Sequence, residues 1–184
     1  MIKRTDKNNI ENISNLIYDA IHNVANTLTG ENEDKKILET LDYYVKMDIC
    51  RLSYNNIYSY ELNNNIVGIL LAYSSNDVDK LDFPMLEHIK SKGIFLDSFE
   101  KECFEDEFYI DTVSVNPSFQ GRGIAKELFD FATKKAKEEG FKKLSLLVDF
   151  ENPKAKALYE KLDFQDNVVL NVSGSQFYHM IKYI

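Results

Sequence analysis

The sequence predicts a single α/β domain built on a mixed, mostly antiparallel and twisted sheet with helices on both faces. Three observations carry that prediction. Residues 108–149 read as strand, glycine loop, amphipathic helix and strand, which is one βαβ unit with a right-handed crossover. Strand-like runs at 57–74 and at 168–184 each fold about a short turn, as antiparallel hairpins do. Elsewhere apolar residues recur three or four apart, the spacing of a helix with one buried face. A chain of 184 residues lies within the roughly 100–200 expected of one domain. With 44% hydrophobic residues it can bury a core of its own.

The elements follow in order. "IKRT" (2–5) opens as a short strand. Asp6 or Asn9 caps a helix carrying Ile10, Ile13, Ile17, Ile21 and Val24 on one face. After Gly30, a second helix carries Leu38, Leu41, Val45 and Ile49. "IYSYEL" and "IVGILLAYS" form a hairpin about Asn63, Asn64 and Asn65, residues that tolerate left-handed backbone. The next stretch reads as a helical, acidic excursion over one face of the sheet. "PMLEHIKSKG" runs there as a short helix from Pro84 to Gly93, and "FLDSFEKECFEDE" as another. "FYIDTVSV" alternates, placing Tyr109, Asp111, Val113 and Val115 on one face, with Glu107 beginning that strand on the same side. A helix follows from Ala125, with Leu128, Phe129, Ala132 and Ala136 inward, and Gly140 ends it. "KLSLLVD", a helix opened by Asn152 and Pro153, and a hairpin about Gly174 complete the chain.

Charge and composition exclude several classes. The net charge of −8 opposes general nucleic-acid binding, which depends on neutralising phosphates. No apolar run approaches the ~20 residues of a membrane span, and the polar N-terminus is wrong for a signal peptide, so a cytoplasmic protein is expected. Cys50 and Cys103 form no CxxC pair and have no histidine at ligand spacing, so neither a disulfide framework nor a metal site is expected. Charge is uneven: from Ser74 to Asp111 there are eleven acids against four lysines, whereas from Asn116 to Lys161 ten basic residues face seven acids. The positive second half contains the glycine loop and suits a small anion.

That loop, "VNPSFQGRGIAKEL", joins a strand to a helix, a common place to hold a phosphate. Gly121 and Gly123 let the backbone turn and approach a ligand, and Arg122 and Lys126 add positive charge. A P-loop would need GxxxxGK followed by Ser or Thr, and none exists. A dinucleotide loop would need GxGxxG, but "GRGIAK" has Lys126 in the third glycine position. The loop instead resembles the pyrophosphate loop of the GNAT superfamily of acetyl-CoA-dependent N-acetyltransferases, with Gln120, Gly121, Arg122, Gly123, Ile124 and Ala125 in register. A second segment, "NPKAKALYEKLDF", is similar to another motif of that family at Asn152, Ala155, Leu158, Tyr159, Lys161 and Phe164. Asp163 stands where the family has glycine, in a position of left-handed backbone that Asp tolerates better than most residues.

The resemblance covers residues 108–164 firmly and the rest in outline. It implies the GNAT fold, with a sheet splayed where coenzyme A enters, and acetyl transfer from acetyl-CoA to an amine without a covalent enzyme intermediate. It implies that the backbone of Val113, Ser114 and Val115 pairs with the pantetheine arm. It further implies that the backbone from Gly121 to Lys126 holds the pyrophosphate, that Asn152 contacts the cofactor, and that Tyr159 protonates the departing thiolate. A phenol, with a pKa of about 10, keeps its proton at neutral pH as that role demands. The general base is left open by the resemblance; Asp111 is one candidate and Glu107 the second.

His179 is a substrate-side or structural residue, and His22 and His88 are scattered. Tyr43, Tyr44, Tyr54 and Phe83 line either an acceptor groove or the core. Asp77, Asp79, Asp82, Glu102, Glu105 and Asp106 suggest a cationic acceptor: a small amine, a polyamine or a peptide amine. No nucleic-acid or membrane partner is expected, and a homodimer is compatible with the sequence. A non-catalytic acyl-CoA-binding module is the rival reading.

Overall fold

The computed structural model describes all 184 residues. Seven strands form one open sheet: β1 (Ile2–Arg4), β2 (Ile57–Leu62), β3 (Asn65–Ser74), β4 (Phe108–Val115), β5 (Lys143–Asp149), β6 (Gln165–Val172) and β7 (Ser175–Tyr183). Their order is β1-β2-β3-β4-β5-β7-β6. Only β4 and β5 run parallel. They are joined by α5 (Ile124–Glu138), so the βαβ unit stands as the sequence predicts.

Helices α1 (Ile13–Ile21), α2 (Val24–Thr29), α3 (Asp34–Lys46) and α4 (Val78–Ser91) cover one face of the sheet. Helix α5 and α6 (Pro153–Lys161) cover the other. On α5, Ile124, Leu128, Phe129, Ala132 and Ala136 are buried at helical spacing, and each large one contributes about 1.5–3 kcal/mol by leaving water. Asn63 and Asn64 take φ of 50° and 64°, the left-handed pair a tight hairpin turn requires. Asp163 likewise has φ of 69° just past α6. No helix is long and apolar enough to cross a membrane.

Five expectations need correction. The first helical stretch is two helices, because the chain bends at His22 (φ 43°, ψ −119°). Neither Asp6 nor Asn9 caps it: Asn12 occupies the N-cap, while Asp6 accepts from the backbone N–H of Asn8 at 2.9 Å in a local turn. Ile49 lies beyond α3 and is exposed. Pro84 is interior to α4 rather than at its start. Proline costs that helix a hydrogen bond, but burial of Leu81, Met85 and Ile89 along one face holds both sides of it together. Finally, residues 92–107 contain no helix and follow the surface as coil. Phe99 and Cys103 bury into the core, and Glu102 and Glu107 form polar anchors within it, contacts that a single amphipathic helix does not supply.

Candidate active site

Strand β4 carries a β-bulge. Ile110 pairs with Ala72 and Thr112 with Leu71, so Asp111 is an extra residue with no partner on β3. The extra residue shifts the alternation by one. Tyr109 faces the core under α1–α4, whereas Val113 and Val115 pack towards α5. Asp111 is therefore not on the face of Val113 and Val115, contrary to the strict alternation read from sequence. Its carboxylate is held on the Tyr73 and Tyr109 side: Oδ2 accepts from the Tyr73 hydroxyl at 2.6 Å and Oδ1 from Thr112 Oγ1 at 3.0 Å.

The bulge coincides with the place where the sheet opens. β4 and β5 pair only from Phe108–Leu144 to Ile110–Leu146, after which they part. The backbone from Thr112 to Val115 is thus unpaired on its β5 side, including Val113, Ser114 and Val115. A cleft of about 570 Å³ occupies this opening and is lined by Asp111, Val113, Asn152 and Tyr159, together with the α1–α2 bend and the β6–β7 turn.

Beyond the end of β4 lies the glycine loop, outside that cleft. Gly121 and Gly123 have φ of 74° and 82°, and a Cβ at either would meet no atom within 4 Å. Gly123 is the N-cap of α5. None of the backbone N–H groups from Gly121 through Arg122, Gly123, Ile124 and Ala125 to Lys126 donates within the chain. Free donors at the positive end of a helix dipole make a nest for an anion. The side chain of Gln120 ties the loop to the strand by donating to the Val115 carbonyl at 3.0 Å. Arg122 lies over the Phe119 ring at 5.0 Å, and Lys126 pairs with Asp130 at 2.8 Å, both at the surface.

Opposite Asp111, Tyr159 projects from α6, edge-on to Phe129 with centroids 5.4 Å apart. Its hydroxyl makes no hydrogen bond within the chain, and burial pushes its pKa up to about 12. Asn152 caps α6, its Oδ1 accepting from the Ala155 N–H at 3.1 Å, which leaves its amide nitrogen for a ligand.

Behind Asp111 lies a buried charge cluster that the sequence did not disclose. Arg51 forks onto Asp82, with Nε–Oδ1 at 2.7 Å and Nη2–Oδ2 at 2.9 Å, and its Nη1 reaches Glu102 Oε1 at 2.5 Å. Glu102 Oε2 in turn accepts from the Tyr109 hydroxyl at 2.7 Å, and the Tyr109 ring lies edge-on to Tyr73 at 5.7 Å. Burial pushes the Asp111 pKa up to about 6; Arg51 opposes the rise and Glu102 adds to it. The sequence signal for Arg51 was faint, a single cation in "DICRLS" whose neighbours Cys50 and Leu52 are fully buried. Asp82 and Glu102 are consequently engaged with Arg51 and do not form the free acidic surface read from sequence. Asp77, Asp79, Glu105 and Asp106 do not line the cleft.

Glu107 does not reach the cleft either. It is buried, accepting from the Phe104 N–H at 2.9 Å and facing His179 Nε2 at 3.1 Å, while Asn167 meets the other ring nitrogen at 3.2 Å. Burial alone would raise the Glu107 pKa, but the hydrogen bonds from His179 and Phe104 bring it below the ordinary value. Glu107 and His179 fasten the end of the coil to the sheet. His22 lines the cleft at the α1–α2 bend; His88 packs against Tyr43 and Tyr44 outside it. Of the aromatic candidates, Tyr44 is core, Phe83 and Tyr43 are at the surface, and none of these, nor Tyr54, borders the cleft.

A parted pair of parallel strands, a cleft at their opening and an anion nest beyond it are the features of the site. The model of the acetyltransferase (GNAT) family matches residues 20–164, and the chain belongs to that family of acyltransferases. A crystallised acetyltransferase is 31% identical, with 100% of this chain and 99% of that chain covered and a TM-score of 0.76. An N-acetyltransferase from Staphylococcus aureus Mu50 shares the fold at 23% identity, with a TM-score of 0.74 over 99% of this chain and 100% of that chain. Acetyltransferase YE1169 of Yersinia enterocolitica is 38% identical over 60 residues, 32% of this chain and 43% of that protein. The match thus spans under half the length of that relative.

Proposed function

We propose that the protein transfers the acetyl group of acetyl-CoA directly to a primary amine. The observation that carries this reading is the meeting, in one cleft at the parted strands, of the Asp111 carboxylate and the unpartnered Tyr159 hydroxyl. The residues present fit the cosubstrate: the nest from Gly121 to Lys126 would hold its pyrophosphate, and the free backbone of Val113–Val115 would pair with its pantetheine arm.

The chemistry follows from the groups at hand. An alkylamine arrives protonated at neutral pH and must lose a proton before it can attack. Asp111, ionised above about pH 6, accepts that proton directly or through a water. The amine nitrogen bonds to the thioester carbonyl carbon, and a backbone N–H of the opened β4 edge holds the oxygen that becomes negative. Cleavage of the carbon–sulfur bond releases the thiolate, to which Tyr159 gives its proton. The nitrogen, cationic since the attack, gives up its second proton to solvent, solvent returns a proton to Tyr159, and Asp111 releases its own.

Thiol release from acetyl-CoA, followed with a panel of primary amines, tests the reading. Release is expected only when cosubstrate and amine are both present. No release with any amine, while acetyl-CoA still protects the fold against heat, would leave a binding module and overturn it.

A further inference from the structure

The charge lining the cleft bears on the class of amine it takes, an inference that rests on the acetyl-transfer reading. Four carboxylates line the cleft, Glu102, Asp111, Asp149 and Glu151, against two basic residues, Arg51 and His22. Arg51 is already neutralised: its side chain is only 3% exposed and is chelated by Asp82 and Glu102. A carboxylate on a substrate would therefore find no free guanidinium or ammonium on these walls.

Hydrogen-bonding capacity points the same way. The hydroxyls of Tyr73, Tyr109 and Thr112 all donate inward, to Asp111 or Glu102. Each carboxylate has about four acceptor positions, more than these contacts occupy. A ligand thus meets spare acceptors at this end of the cleft, the complement of an ammonium group with three donors. Between these carboxylates, Ile21 and Val24 of the α1–α2 bend and Leu147 of β5 supply apolar surface that suits an alkyl chain.

We propose that the acceptor is an aliphatic amine bearing a second positive charge and no carboxylate, of the alkyl diamine class, and that Glu102 is its specificity-determining carboxylate. Glu102 comes from the coil between α4 and β4, so that segment shapes the acceptor site.

Three probes with the same reactive end test this: 1,4-diaminobutane, n-butylamine and 4-aminobutanoate, whose far ends are positive, neutral and negative. With the unaltered protein, kcat/KM is expected to fall by about tenfold at each step, the scale of one partly screened charge contact. Added salt should shrink the diamine's advantage. Glu102→Gln should bring the diamine and monoamine kcat/KM values together, their ratio falling to about one. Equal kcat/KM across the three probes would overturn the diamine class and leave acetyl transfer standing. Absence of turnover with every probe and with the wider amine panel would instead remove the acetyl-transfer reading. If Glu102→Gln does not fold, the series on the unaltered protein still decides.

Discussion

The Tyr73 hydroxyl donates to Asp111 Oδ2 across 2.6 Å, from the strand opposite the β4 bulge. The contact turns the extra residue of the bulge into a fixed carboxylate on the cleft wall. A bulge beside an active site re-aims a side chain, and here it also marks the point where β4 and β5 separate.

Because the Asp111 pKa is raised to about 6, its ionised form is the minor one in acid and the major one above neutrality. Between about pH 5 and 8 an alkylamine stays fully protonated, so a change in kcat/KM there belongs to the enzyme. We expect kcat/KM to rise through about pH 6 and then level off, and Asp111→Asn to lower it by about 10²–10³-fold. Stability moves oppositely. A carboxyl whose folded pKa exceeds its unfolded value contributes most below the unfolded pKa, and that contribution is lost as pH rises through about 6. Asp111→Asn should therefore melt higher than the unaltered protein at pH 8, by calorimetry, while being far less active.

Arg51 holds Asp82 and Glu102 and lowers the Asp111 pKa against its burial. Arg51→Met leaves two buried carboxylates without a partner, a loss of about 3–5 kcal/mol in urea unfolding. In the fraction that remains folded, the acid limb of kcat/KM should shift to higher pH. Arg51→Lys keeps the charge and loses the fork, and should fall between the two. An unshifted limb in Arg51→Met would separate Arg51 from Asp111.

The Glu107–His179 pair belongs to stability. The folded pKa of Glu107 is depressed, so its stabilisation is present above the unfolded carboxylate value and is lost as pH falls through the lower folded value. Glu107→Gln should cost about 1.5–3 kcal/mol at pH 7, as loss of a charged hydrogen bond does. That difference should shrink as pH falls through the lowered folded value and the unaltered carboxyl protonates. Acetyl transfer by the folded variant should be little changed, because Glu107 does not line the cleft.

How much of this was legible in the sequence depends on how local each signal is. The strand–loop–helix around Gly121 and Gly123 and the helix carrying Tyr159 are contiguous, and their turn and capping chemistry shows in the letters. The hairpin at Asn63 and Asn64 was legible for the same reason. The bulge was not, because "FYIDTVSV" alternates well on its own and only the register with β3 shows that Asp111 is extra. Arg51, Asp82 and Glu102 lie 20 to 51 positions apart and meet only through the fold. The net charge of the acidic stretch stands in the sequence, but its distribution comes only with the fold, where Asp82 and Glu102 are internal counter-ions.

The most direct measurement compares Tyr159→Phe with the unaltered protein, recording kcat and acetyl-CoA affinity together. The substitution removes one hydroxyl that has no partner in the chain and keeps the ring against Phe129. We predict that kcat falls by about a hundredfold or more while the acetyl-CoA Kd changes by less than about twofold, the signature of a group acting in the transition state. An unchanged kcat would contradict it.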